Sequence, residues 1–194
     1  MSLEAIIPWV AGTAVVALTL LEPFPVRYRG PPAAAVRTTL EPAKPALDFY
    51  GSIRAALPNL APPRAVFAIW FVLYLFIAIA HTFWAIHAEP VADPTLYRAI
   101  WIVYFVHLFF DKIWGMLFFG MQSRAGVTLG FVDILLVLGL AVAQIVMYIS
   151  YGAPVVTFVF WGLYFMWIFY ATLLSGAIFV NKDKLSYASA YTGA

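Results

Sequence analysis

Any chemistry in this chain has to come from aromatic rings with polar tips, set at helical spacing. Trp70, Tyr74 and His81 fall at i, i+4 and i+11, so they share one helical face. Asp111, Trp114 and Phe118 fall at i, i+3 and i+7, and Tyr164, Trp167, Ala171 and Ser175 at i, i+3, i+7 and i+11. If these three faces converge, they enclose an apolar cavity with a few oriented polar groups, which is what a small-molecule site requires. Helix–helix packing, with Trp and Tyr at the membrane interface, accounts for the same faces without a ligand. Spacing alone leaves both readings open.

Asp111, Lys112 and Asp133 lie inside long apolar runs. A charge there costs roughly 2.5–3.5 kcal/mol on insertion scales, so such groups face the interior of a bundle. Lys112 and Asp133 are expected to form an interhelical polar clamp. Asp111 shares a face with Trp114, which makes it either a ligand contact or a second clamp. His81, His87 and His107 have no partner at metal-ligand spacing, so no built-in metal site is expected. His81 is expected to be a satisfied core residue, with contact to a ligand as the alternative. No nucleophile elbow, P-loop or dinucleotide fingerprint occurs. With Cys 0, thiolate chemistry and disulfides are excluded. Gly126-x-x-x-Gly130 permits close helix contact and hence a dimer.

The elements that position these residues follow from composition. The chain has 194 residues, 64% hydrophobic and 10% charged, with a mean hydropathy of +0.92. That is far too few charges to cover a water-soluble fold, where about a quarter of residues are charged. The solvent is therefore a bilayer, and long continuous apolar runs make the spans helices rather than barrel strands. The fold class is an all-α integral membrane protein, a five-transmembrane-helix bundle in one membrane domain, 1–194. The spans are expected at about 3–21, 64–86, 96–120, 125–149 and 155–180, with a long first loop 22–63 and a polar tail 181–194. The first run has no basic segment before it, so it is expected to be a retained helix rather than a signal peptide. The first loop, third loop and C-terminus share one side, which holds Arg27, Arg29, Arg37, Lys44, Arg54, Arg64, Arg124, Lys182 and Lys184, whereas the other side holds Arg98. The positive-inside rule then places the N-terminus outside and the first loop and C-terminus on the cytoplasmic side. The Pro-rich first loop is long enough either to fold back as a lid or to remain solvated.

Several of these stretches resemble one known family. Phe49-Tyr50, Pro58-x-x-x-Pro62-Pro63, Val66-Phe67, Trp70 and Leu73-Tyr74 are similar to its first signature. Asp111-x-x-Trp114-x-x-x-Phe118-Phe119-Gly120, then Val132-Asp133-Ile134-Leu135-Leu136-Val137, then Tyr164-x-x-Trp167-x-x-x-Ala171-Thr172-x-Leu174 resemble the next three, in order. The family is that of the translocator proteins, or tryptophan-rich sensory proteins (TspO/MBR, peripheral benzodiazepine receptors), and the resemblance spans about residues 49 to 181. This chain departs from the pattern at Leu57 (family Lys), Ala65 (Trp), Asp111 (Asn), Leu163 (Pro), Ser175 (Asn) and Gly176 (Tyr). An acid in place of a neutral amide has to be paired or neutral if it is buried.

The resemblance implies a five-helix bundle, usually dimeric, with a pocket under the first loop. It implies binding of a flat hydrophobic ligand, a porphyrin, haem or a sterol such as cholesterol. Ligand-binding residues would be Trp70, Tyr74, Asp111, Trp114, Phe118, Tyr164, Trp167, Ala171 and Ser175. No cofactor is built in, and porphyrin or haem enters as ligand. No catalytic residue is assigned, unless the chain shares the light-dependent porphyrin breakdown of bacterial relatives, for which Trp70 and Trp167 would serve. A further alternative is an accessory subunit of a larger membrane complex with a degenerate pocket. Expected partners are the lipid bilayer, the ligand and a second copy or larger complex, with no nucleic acid. The expected location is a mitochondrial membrane in a eukaryote and the cell envelope in a bacterium.

Overall fold

The computed structural model describes residues 49–63, 69–88 and 92–187. Residues 3–21, the expected first span, and the first loop up to residue 48 lie outside the described residues. Within them the chain is helical throughout: α1 Phe49–Ala56, α2 Ile69–His87, α3 Pro94–Gly115, α4 Arg124–Ser150 and α5 Val155–Val180. Among the described residues, four helices are long and apolar enough to cross a membrane: α2, α3 with its extension to Gly120, α4 and α5. These correspond to the second to fifth expected spans. At 1.5 Å per residue the longer ones reach ~40 Å, against a hydrocarbon core of ~30 Å.

The helix ends follow local chemistry. Asp93 accepts a hydrogen bond from the Leu96 amide at 2.9 Å, with Pro94 in the first turn, so α3 starts earlier than its apolar run. Ser123 caps α4 in the same way through the Gly126 amide, 3.0 Å. α4 ends in a Schellman turn: Gly152 has φ +74, the Ala153 amide donates to Tyr148 and the Gly152 amide to Ile149. This left-handed position suits glycine.

The third span does not stay α-helical to its end. Met116–Gly120 forms a π turn, the kind of local widening that recurs at functional sites. It turns Phe118 inward, where the ring is buried. The π turn nests against α4 at two glycines. A Cβ on Gly126 would lie 2.7 Å from the Leu117 carbonyl oxygen, and one on Gly130 would lie 3.0 Å from the Phe118 ring. Both glycines are buried. A close approach at Gly126-x-x-x-Gly130 is therefore made within the chain, to the π turn that ends the third span.

α3 packs on α4, α4 on α5 and α5 on α2. Large rings fill the remaining gap between α2 and α3, with His81 stacked on Tyr104 at 3.7 Å and Trp70 against Trp114 at 5.7 Å. The first loop contributes α1, whose Phe49, Tyr50, Ser52 and Ile53 are buried. This short helix lies over the π-turn end of the bundle. Part of the supposed polar tail joins it: a 3₁₀ turn at Lys182–Lys184 follows α5, and the Tyr187 ring packs on Phe49 at 5.9 Å.

Candidate functional site

Three helices bring their aromatic faces to one depth. Trp70 of α2, Trp114 of α3 and Trp167 of α5 meet just below α1, with Trp70 5.7 Å from Trp114 and 6.0 Å, edge-on, from Trp167. Phe118 stacks on Trp114 at 5.4 Å. Ala171 and Ser175, one and two turns above Trp167, leave space beside the rings because their side chains are small. Trp70, Trp114, Phe118, Trp167, Ala171 and Ser175 all line a single cavity, together with Tyr50, Pro62, Phe119, Tyr170, Leu174 and Ile178.

The cavity is narrow. Its volume is about 20 Å³, room for about one water molecule. The tryptophans fill most of the space a flat ligand would take, so binding has to part the rings or raise the cap.

The cap is held by hydroxyls. Tyr170 donates to the Leu60 carbonyl at 2.7 Å, and Tyr50 donates to the Pro62 carbonyl. Tyr50 also packs its ring on Phe119 at 6.4 Å. Of the two possibilities for the first loop, its described part, 49–63, folds back over the bundle. Tyr170→Phe removes one hydrogen bond worth about 1 kcal/mol. Backbone amides of residues 49–63 are then expected to exchange about fivefold faster, while those of α4 stay unchanged. Equal exchange in the two proteins would show that Tyr170 does not hold the cap.

The next layer down is polar. Tyr74, Asp111 and Tyr164 belong here rather than to the cavity wall. Asp111 is 2% exposed. The Tyr74 and Tyr164 hydroxyls and the Lys112 and Asp133 charges act on its carboxyl, yet neither of its oxygens closes a hydrogen bond. The Tyr164 hydroxyl is engaged below, 2.6 Å from His107 Nε2. The Lys112 ammonium lies over the Tyr74 ring, 5.3 Å from its centroid. One cation contact of Lys112 is thus with Tyr74 on α2. Asp133 is buried, and its Oδ2 has no hydrogen-bond partner. The indole N–H groups of Trp114 and Trp167 are also without one.

His81 is a core residue, well below the cavity. It shares a 2.8 Å hydrogen bond with the Tyr148 hydroxyl through Nδ1 and is ringed by Tyr104, Trp101 and Trp84. Its face with Trp70 and Tyr74 is real, but a helix face is longer than a pocket is deep.

Spacing had singled out six of the cavity's walls. Tyr170, Leu174 and Ile178 were reachable by continuing the α5 stripe, since each lies three residues beyond Trp167, Ala171 or Ser175. Tyr50 and Pro62 were not, because a loop has no period. Phe119 enters only through the π turn.

A family model described as the TspO/MBR family matches residues 33–180. No curated protein and no solved structure gives a match.

Proposed function

This chain belongs to the TspO/MBR family, and we propose that it is a membrane receptor for a flat hydrophobic ligand, a porphyrin or haem or else a sterol, held between the helices. The observation that carries this is the meeting of Trp70, Trp114 and Trp167, from three helices, under a cap formed by α1. Such rings offer wide apolar faces at small entropic cost, and stacking on them is worth ~0.5–1.5 kcal/mol per pair beyond the area buried. Phe118, Ala171 and Ser175 shape the walls, while Tyr74, Asp111 and Tyr164 supply polar groups at the floor. A porphyrin fits this set chemically, with its rings among the indoles, once the tryptophans separate. The same reading takes residues 3–21 as a fifth span and, from the charge distribution, places the first loop on the cytoplasmic side.

Titration of the detergent-purified protein with protoporphyrin IX, followed by tryptophan quenching, tests it. Saturable micromolar binding is expected, about tenfold weaker in Trp114→Phe and Trp167→Phe, since each loses part of the stacking surface and an indole N–H. Folded protein with no saturable quenching would favour the accessory-subunit alternative, which the small cavity supports. Porphyrin breakdown is a further reading, favoured by the edge contact of Trp70 with Trp167. Illuminated wild type must then lose Soret absorbance faster than Trp167→Phe.

A further inference from the structure

The floor of the pocket carries a group that a purely apolar ligand leaves unused. Asp111 is buried, both of its oxygens lack a hydrogen bond, and it sits one helical turn below Trp114. Across from it stand Tyr74 and Tyr164, the residues one turn below Trp70 and Trp167 on their helices. A buried carboxyl with no donor is costly, and the cost falls when a donor or an opposite charge reaches it. The Tyr164 hydroxyl is taken up by His107, and the Tyr74 hydroxyl and the Lys112 charge act on the acid without closing a hydrogen bond on either oxygen.

Lys112, the next residue, is the chain's own cation in this layer. It projects about 100° away around the helix, its ammonium rests over the Tyr74 ring at 5.3 Å, and its charge acts on the carboxyl. That contact shows the electronegative face of an aromatic ring in this layer holding a positive charge, the cation–π geometry. Trp70 and Trp114 present further ring faces directly above.

Resting on the pocket reading above, we propose that this site selects flat aromatic ligands bearing a protonated nitrogen, which Asp111 receives beneath the ring faces of Trp70, Tyr74 and Trp114. The rings hold the aromatic body and the face of the charge, and the carboxylate takes the N–H bonds. Acidic groups on a ligand, such as the carboxylates of a porphyrin, must then stay at the capped mouth, away from Asp111.

The test uses three tricyclic probes of nearly equal shape: 9-aminoacridine, a cation at neutral pH; 9-methylanthracene, neutral; and anthracene-9-carboxylate. Tryptophan quenching is followed with the full chain in nanodiscs of zwitterionic lipid, and empty nanodiscs correct for partitioning. Wild type is expected to bind 9-aminoacridine about tenfold or more tighter than 9-methylanthracene, and the carboxylate weakest, in line with a charge-assisted hydrogen bond. In Asp111→Asn, nearly equal in shape, that preference collapses to about twofold. Equal binding of cation and neutral probe by wild type overturns the proposal and leaves the pocket standing; that is the result expected if Lys112 already serves Asp111. A cation preference that survives in Asp111→Asn also overturns it. If neither the probes nor protoporphyrin IX quench saturably, the pocket reading falls and this proposal with it.

Discussion

Gly126→Leu protein is expected to lose the packed bundle, whereas Gly126→Ala keeps it with a lower melting temperature. At Gly126 even a methyl group meets two obstacles at 2.7 Å, the Leu117 backbone oxygen and the Met121 Cβ. Neither is the far end of a flexible side chain, so α4 and the π turn have to part. Overpacking of this kind costs ~1–3 kcal/mol for small additions and more for large ones. Gly130→Ala is the internal comparison. Its added carbon meets the Phe118 ring at 3.0 Å and Phe118 Cβ at 3.1 Å, and a ring can swing where a backbone cannot, so its effect is smaller. Because the π turn carries Phe118 and Phe119 into the cavity wall, Gly126→Ala also weakens ligand binding. Thermal unfolding in detergent with size-exclusion chromatography reads both effects. If Gly126→Leu melts like wild type but shifts from dimer to monomer, the glycine pair serves an interface between copies, and the internal contact is dispensable.

Asp111→Leu protein is expected to melt higher than wild type and yet bind ligand less well. Filling the position with an apolar side chain removes a buried carboxyl whose two oxygens lack partners, a gain of ~1–3 kcal/mol by the cost of such groups. The new side chain extends the apolar contacts of Trp114 and Phe118 on the same face. A polar group kept at the expense of stability points to a functional demand, since fully apolar packing was available at that position. The opposite result has an equally definite meaning. A lower melting temperature would make Asp111 a clamp between α3 and the tyrosines of α2 and α5, the other role its spacing allowed.

Sequence alone determined the four described spans and the membrane as solvent, because backbone desolvation in lipid permits few structures and twenty-residue apolar runs cannot be hidden elsewhere. Their ends were legible to within a few residues; Asp93 and Ser123 moved the starts outward by capping. The aromatic faces were legible too, since helical periodicity is local: Trp70, Trp114, Phe118, Trp167, Ala171 and Ser175 line one cavity as their spacing suggested. The family was legible in the order of its motifs, and the match over residues 33–180 shows it.

Depth, pairing and closure belonged to the tertiary structure. Periodicity gives a direction around a helix but no position along its neighbours, so Tyr74, Asp111 and Tyr164 fall to a floor layer and His81 to the core beneath. Lys112 rests over the Tyr74 ring, a contact spacing did not name, because a long side chain samples any partner within reach and only packing ranks them. Gly126 and Gly130 reveal close approach but not whose backbone approaches. The π turn, which depends on a hydrogen-bond pattern five residues long, and the cap formed by Tyr50 and Pro62 from a loop without period, both appear only when the helices are in place.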